Sequence, residues 1–426
     1  MKKTLIFVLI LLFLVGVAFA GGFSIYEQGS KATAMGGAFT AQADDPSALF
    51  YNPAGIAFQK ASLYLETTII VPSSDFYGAN PYPGVGISES QESQSFYPSN
   101  MSLVLPLNDH WVFGFGMYTP FGLETKWDNP ETFSGRYVST LSKVVTYRIQ
   151  PTIAYKANDK FAVALGVNYL QSKVSLERYI PAINPYTQSV VNVGHVRIDG
   201  GYDGAWGVDL GVMFRYIPKF SIGFAYHSEE DVDYTGRAMF DQIPTGYADF
   251  DQQVAQIIPF GVELEGSATI NYPEQAMFGI ATTIIPKCTL EFDIGYIGWD
   301  SYKDLPITIT GHPEFSIVRH TDWDKSYSYR LGFEYRATEN LALRLGYEYD
   351  ETPQPDKEAG PVLPDSDKDG YCFGIGYKSG PVVLDFSYMY LDYDERNTIG
   401  TDHIDQFFGI YDNSAHLVGI SLKYNF

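Results

Sequence analysis

Residues 341–349 read Leu-Ala-Leu-Arg-Leu-Gly-Tyr-Glu-Tyr, and the fold turns on what meets each side of this stretch. Leu341, Leu343, Leu345, Tyr347 and Tyr349 point one way; Ala342, Arg344, Gly346 and Glu348 point the other. A period of two marks an extended strand. The pattern recurs outward along the chain. Tyr329, Leu331, Phe333 and Tyr335 alternate with Arg330, Gly332, Glu334 and Arg336; Tyr371, Phe373, Ile375 and Tyr377 alternate with Cys372, Gly374, Gly376 and Lys378. Val418, Ile420, Leu422, Tyr424 and Phe426 alternate with Gly419, Ser421, Lys423 and Asn425. In a soluble sandwich the apolar face is the core, and charges seldom sit in the middle of every second face. In a membrane barrel the apolar face meets lipid and the charged face lines the lumen.

Fourteen such strands are expected, starting near residues 60, 95, 110, 143, 160, 197, 219, 265, 288, 326, 340, 369, 381 and 415. An even number suits a closed antiparallel barrel, and closure removes the sheet edges that hydrocarbon cannot satisfy. The connections alternate in length. Asn108-Asp109, Asn158-Asp159, Pro218-Lys219, Pro286-Lys287, Glu339-Asn340 and Ser379-Gly380 have tight-turn chemistry. Long polar segments cover roughly 73–94, 120–140, 179–195, 240–262, 301–325, 351–368 and 391–414. Short turns on the periplasmic side and long loops outside is the layout of an outer-membrane barrel. The last strand ends on Phe426, which resembles the assembly signal of such barrels, so the outer-membrane assembly machinery is an expected partner.

Composition agrees. The chain carries 33 Tyr and 29 Phe, as interfacial girdles require. No segment after the N-terminus approaches the ~20 apolar residues of a spanning helix. Residues 1–20 read as a signal peptide: Lys2 and Lys3, an apolar run from Leu5 to Ala18, and a small-x-small site at Ala18-Phe19-Ala20, which puts the mature start at Gly21. Removing Lys2 and Lys3 takes the net charge from -22 to -24, with 26 basic against 50 acidic residues. That balance excludes nucleic acid as a partner. Cys288 and Cys372, placed at a turn and near the outer end of a strand, are not expected to bond. Residues 21–59 lack alternation and are rich in small residues (Gly29, Ala32, Ala34, Gly36, Gly37, Ala38), as a plug inside a crowded lumen would be. The expected division is thus signal peptide 1–20, N-terminal hatch 21–59 and transmembrane barrel 60–426.

From Gly29 to Phe58 the chain reads GSKATAMGGAFTAQADDPSALFYNPAGIAF. With Asp44-Asp45-Pro46-Ser47 followed by Asn52-Pro53-Ala54-Gly55, this stretch resembles the N-terminal hatch of the FadL family of outer-membrane transporters. Thr119 to Thr125 (TPFGLET) and Leu363-Pro364-Asp365-Ser366-Asp367 are similar to the family as well. The resemblance implies passive uptake of long-chain fatty acids or similar hydrophobic compounds. The ligand is captured in the loops and bound in a lumenal pocket. The hatch then rearranges at Asn52, Pro53 and Ala54, and the ligand leaves sideways at a kink in the third strand. Gly122 matches that kink. Gly114, Gly116 and Pro120 are further candidates because Gly weakens a strand and Pro removes a ladder donor; Gly211 would lie across from the gap. The resemblance also assigns a carboxylate-binding role to Arg178 and to Arg319, which stands where the family member compared has Lys. Arg330 and Arg344, lumen-facing by parity, are alternative headgroup partners.

Pairing of Arg178 with Glu177 or a loop acid is the competing reading for that residue. Asp365-x-Asp367-x-Asp369 opens like a calcium loop, but the twelfth position is Gly376 where Glu is needed. Seven scattered histidines and the lack of a G-x-S-x-G elbow give no support for a metal, a cofactor or an enzyme. Two other functions stay open: an aromatic-hydrocarbon transporter of the same family, and a general porin for polar solutes. Outer-membrane lipid and lipopolysaccharide would surround a monomer.

Overall fold

The computed structural model describes residues 21–216 and 219–426, so the signal-peptide reading of residues 1–20 and Pro218 of the third turn lie outside the described residues. The chain is a closed antiparallel barrel of 14 strands. In chain order they are β1 (Ser62–Gly78), β2 (Ser99–Pro106), β3 (Trp111–Tyr118, resuming as Gly122–Lys126), β4 (Leu141–Lys156) and β5 (Phe161–Ile183). Then come β6 (Val190–Gly200 and Asp203–Tyr216), β7 (Phe220–His227 and Glu230–Gln242), β8 (Glu263–Tyr272 and Gln275–Thr282) and β9 (Cys288–Ile297 and Asp304–Ile309). The ring finishes with β10 (Ile317–His320 and Ser326–Arg336), β11 (Leu341–Asp350), β12 (Lys368–Ser379), β13 (Val382–Tyr393) and β14 (Gly409–Asn425). The first and last strands close it, in register from Ser62 against Asn425 to Gly78 against Gly409.

Side-chain alternation sets which face is which. On β11, Leu343, Leu345 and Tyr347 are 42%, 61% and 39% exposed, while Arg344 and Glu348 on the other parity are buried. The exposed parity forms an apolar outer band. Trp111, Tyr155, Phe161, Tyr216, Phe220, Tyr335, Tyr377 and Tyr424 ring its tight-turn end. The turns form as the sequence requires. The Asn108 carbonyl oxygen accepts from the backbone N–H of His110 and Trp111, and Asn158 does the same for Lys160 and Phe161. Cys288 and Cys372 are both free thiols.

The expected long loops are shorter than the alternation suggested, because β5 to β10 run beyond the other strands. β6 to β10 each break once, near residues 201, 228, 273, 300 and 323, and then pair again. The result is an inclined upper wall on one side of the barrel, closed above by a short helix, α3 (Ala248–Ala255), whose Phe250 and Val254 pack onto Val196 and Phe240.

The interior below is filled. Residues 21–58 contribute no strand to the ring and are buried inside it, apart from partly covered Asp44 and Phe58. They form two short helices, α1 (Ser30–Thr33) and α2 (Ala48–Tyr51), and a 3-10 turn, Pro53–Phe58. Backbone N–H groups that these short pieces leave free find carboxylates on the wall. Asp293 accepts from Phe39 and Thr40 at 2.9 Å each, and Glu291 accepts from Ala41 at 2.6 Å and Gln42 at 3.1 Å. Glycines make room: a Cβ on Gly346 would stand 2.0 Å from the Gly36 nitrogen.

Candidate functional site

Above the plug, the inclined wall encloses a cavity of about 410 Å3. Its sides are apolar: Leu176 and Ile180 from β5, Val196 and Ile198 from β6, Phe240 from β7, and Leu305, Ile307 and Ile309 from β9. Two cations reach it. Arg178 is at even parity on β5 and Arg319 is on the outer segment of β10, so strand parity and the break in β10 bring them to one chamber. Among the described residues no carboxylate lies within 4.0 Å of the Arg178 guanidinium. Glu177, the neighbour that could have quenched it, instead faces His195 Nε2 at 3.3 Å. Arg319 Nη2 contacts Asp405 Oδ2 at 2.7 Å. Sequence reasoning missed Asp405 because it lies 86 residues away on the last loop.

Arg319 also borders a second, smaller cavity of about 60 Å3 directly beneath, lined by Phe23, Tyr302, Trp323, Glu358 and Leu363. Burial pushes the Glu358 carboxyl up and raises the Tyr302 phenol to about 12, so the phenol is neutral beside an apolar guest. The floor is the Phe23 ring, packed edge-on against Trp299 at 4.6 Å and Tyr272 at 5.9 Å. Gly22 anchors the same segment, its N–H donating to Asp365 at 2.9 Å.

Behind Phe23 the wall is interrupted. The β2–β3 ladder runs from Pro106 against Val112 to Met101 against Met117 and stops. Beyond it the two chain segments meet again through the Gln94 side-chain amide, which donates to Glu124 at 2.8 Å, and through the bridge of Gln91 with Trp127. Between them β3 breaks at Thr119–Phe121. Pro120 has no N–H to give, and the exposed edge takes the N-terminal segment as its partner instead. Ile25 N–H donates to Pro120 O and Gly122 N–H to Phe23 O, both at 2.8 Å, framing a bridge between Ser24 and Phe121.

Asn52 ties plug to wall. Its amide donates to Thr40 O at 2.8 Å and to Val212 O at 3.1 Å, and its carbonyl caps the 3-10 turn by accepting from Ala54 N–H at 3.1 Å. Pro53 starts that turn, where a missing N–H costs nothing.

The other expected positions fall elsewhere. Gly114 and Gly116 are inside the unbroken part of the β2–β3 ladder, and a Cβ on Gly114 would meet Leu49 of α2 at 2.6 Å. They admit the plug and do not form the gap. Gly211 is not across from the gap: it lies beneath Asn52, Pro53 and Ala54, within 2.9 Å of each for an added Cβ. Arg330 and Arg344 face the lumen but do not open on the cavity. Arg330 is paired with Glu348 and Asp350 and donates to Gly36 O, while Arg344 bonds Glu334 at 2.8 Å and Asp385 at 2.6 Å. Each guanidinium is already held by two acids within the wall, so neither presents an unpaired charge to the cavity. Nor do the three aspartates of 365–369 converge. Asp365 accepts from Gly22 and Thr352, Asp367 from Thr352 N–H and Tyr349, and Asp369 from Tyr347. No metal-holding group of three His, Cys, Asp or Glu occurs among the described residues.

Comparison with known proteins gives this arrangement relatives. The family described as outer membrane protein transport protein (OMPP1/FadL/TodX) matches residues 11–426. The chain is 23% identical over 391 residues to the long-chain fatty acid transport protein of Salmonella typhi, covering 88% of each. It is 24% identical over 465 residues to outer membrane protein P1 of Haemophilus influenzae, covering 96% of each. Among solved structures, a FadL homologue of Pseudomonas aeruginosa superposes with a TM-score of 0.82 at 20% identity, covering 96% of this chain and 100% of that one. The toluene transporter TodX of P. putida gives 0.69 at 15% identity, covering 94% and 99%. The chain belongs to the OMPP1/FadL/TodX family of outer membrane transport proteins.

Proposed function

We propose that this protein takes up long-chain fatty acids, or amphiphiles like them, across the outer membrane by diffusion, with no catalytic step. The observation that carries the reading is an apolar chamber with an arginine, Arg178, that no carboxylate of the protein satisfies within 4.0 Å among the described residues. Arg178 is exposed where it borders the chamber, so its guanidinium is free to take a charge-assisted, two-pronged contact from an anionic headgroup. A tail lying along Leu176, Ile198 and Ile307 points toward Arg319 and the smaller cavity over Phe23. Withdrawal of residues 23–25 from the β3 edge would open the gap behind them, and the ligand would pass sideways into the membrane. The Asn52-Pro53-Ala54 turn is the element of the plug that would shift with it.

The test is uptake of labelled oleate by cells with and without the protein at matched outer-membrane expression. Equal uptake sinks the proposal. A neutral aromatic hydrocarbon is the second reading, favoured by the fold shared with TodX. It predicts that Arg178→Gln leaves uptake intact, whereas the fatty-acid reading predicts a loss of about tenfold in affinity, as for a charge-assisted contact of 1–2 kcal/mol.

A further inference from the structure

Five charged side chains line the upper chamber: Arg178, Arg319, Glu177, Glu314 and Asp405. Two of the acids are engaged by histidines at the rim, Glu177 by His195 at 3.3 Å and Glu314 by His312 at 2.9 Å. Asp405 is engaged by a cation of the chamber itself. Its two carboxylate oxygens face the two terminal nitrogens of Arg319 at 2.7 and 3.5 Å, with both side chains largely covered, at 24% and 18% exposure. That is the two-pronged contact an incoming carboxylate would make.

The contact is built, not incidental. Asp405 sits on a loop tip whose backbone is fixed on both sides. Ile404 N–H donates to Lys357 O at 3.0 Å, buried His403 contacts Ala359 O at 2.7 Å, and the Gln406 side chain donates back to His403 O at 2.7 Å. Gln406 holds a positive φ of 51°, which turns the chain there. The loop therefore presents a carboxylate to Arg319 from a fixed position.

We propose that Asp405 is a specificity-determining residue of the chamber: it stands on Arg319 in place of a ligand carboxylate, and it leaves Arg178, which it acts on only from beyond 4.0 Å, as the cation with no direct carboxylate contact. The inference rests on the reading above that a headgroup faces these arginines. With Arg319 engaged by Asp405, Arg178 is the chamber cation left for a headgroup oxygen to contact. A monocarboxylate fits that single contact. A neutral alcohol of the same length leaves Arg178 unpaired, and a dianionic headgroup brings a charge that Asp405 repels.

The test uses the full chain as it is assembled in the outer membrane, transferred to nanodiscs, and three probes of one tail length: laurate, 1-dodecanol and dodecyl phosphate. Wild type should bind laurate most tightly. Asp405→Asn keeps the shape and a hydrogen bond to Arg319 but removes the competing charge. It should tighten laurate about three- to tenfold, dodecyl phosphate by more, and leave dodecanol unchanged. The gain should disappear in Asp405→Asn combined with Arg319→Gln. Retained heat-dependent migration of each variant on gels checks that the barrel is folded. Weaker or unchanged laurate binding by folded Asp405→Asn, or an equal change for dodecanol, overturns the specificity role. If wild type binds laurate and dodecanol alike and Arg178→Gln changes neither, the headgroup reading itself fails, and this inference with it.

Discussion

A hydrogen on Gly346 stands where any other residue would put carbon into the backbone of the plug. With a Cβ only 2.0 Å from Gly36 N, Gly346→Ala has no flexible neighbour to push aside. Overpacking of this kind costs about 1–3 kcal/mol, and here it falls on the contact between plug and wall. The expected outcome is a barrel that still assembles but leaks ions in planar bilayers; wild-type conductance from a correctly folded variant would refute the packing role. Asn52 acts from the other side. Asn52→Leu strands the Thr40 carbonyl, removes a bond to the Val212 carbonyl of β6 and uncaps the following turn, a loss of about 1–3 kcal/mol for buried unsatisfied groups. Increased protease cleavage within residues 40–58 of the embedded protein should report it. The residue scale is also where the sequence reading misassigned most. Parity alone places Arg330 and Arg344 in the lumen, where the structure has them, but does not show that the lumen there is filled. Their partners were in reach of the sequence. Arg330 lies directly opposite Glu348, and Glu334 opposite Arg344, equidistant from the tight turn at 338–340. A hairpin with a short turn fixes its register, so these pairs could have been read as closed ion pairs before any ligand was considered.

At the scale of elements, β3 shows how one proline redirects a strand. Pro120 cannot donate, the ladder to β2 ends three residues earlier, and the free edge is completed by the chain's own N-terminal segment. Ser24 and Phe121 form a bridge whose hydrogen bonds flank it, which is the narrow, non-hydrogen-bonded type of antiparallel pair. Such pairs have the Cα separation that a disulfide spans. In a background with Cys288→Ser and Cys372→Ser, the double variant Ser24→Cys, Phe121→Cys should therefore lock the segment to the wall. Oleate uptake should fall at least tenfold under oxidising conditions and recover with reductant. Uptake indifferent to the lock would show that the exit lies elsewhere. The strands themselves were legible because lipid and lumen impose opposite chemistry on successive residues. The breaks in β6 to β10 were not. Gly200-Gly201 and Tyr272-Pro273 look like loop onsets in sequence, yet the wall resumes beyond them because each neighbouring strand bends at the same level and offers a new partner. Cooperative bending of this sort has no local signature, which is why the chamber could be anticipated from the resemblance and not from periodicity.

On the scale of the whole molecule, ring and plug are held by different forces. The ring closes through the backbone pairing of β1 with β14, and residues 21–58 take no part in that ladder. Arg330 with Glu348 and Arg344 with Glu334 and Asp385 are pairs within the wall, so they stay compensated if the plug is absent. The plug's own attachment is a set of contacts to that wall: Lys31 with Glu334 at 3.4 Å, Asp293 and Glu291 on the backbone of residues 39–42, and Asn52 on β6. Removing residues 22–58 while keeping residues 1–21 should therefore leave a barrel that inserts and migrates as a folded species. Its lumen would be water-filled and lined by Glu291, Asp293, Glu66 and the wall ion pairs, with acids in excess. The expected channel is cation-selective and open, and it should lose preference for oleate over small polar solutes because Phe23 and the β3 edge partner are gone. Reversal potentials across a salt gradient measure the selectivity. Loss of insertion, or a closed channel, would mean that plug and ring fold as one unit and that the barrel's closure depends on more than its strand pairing.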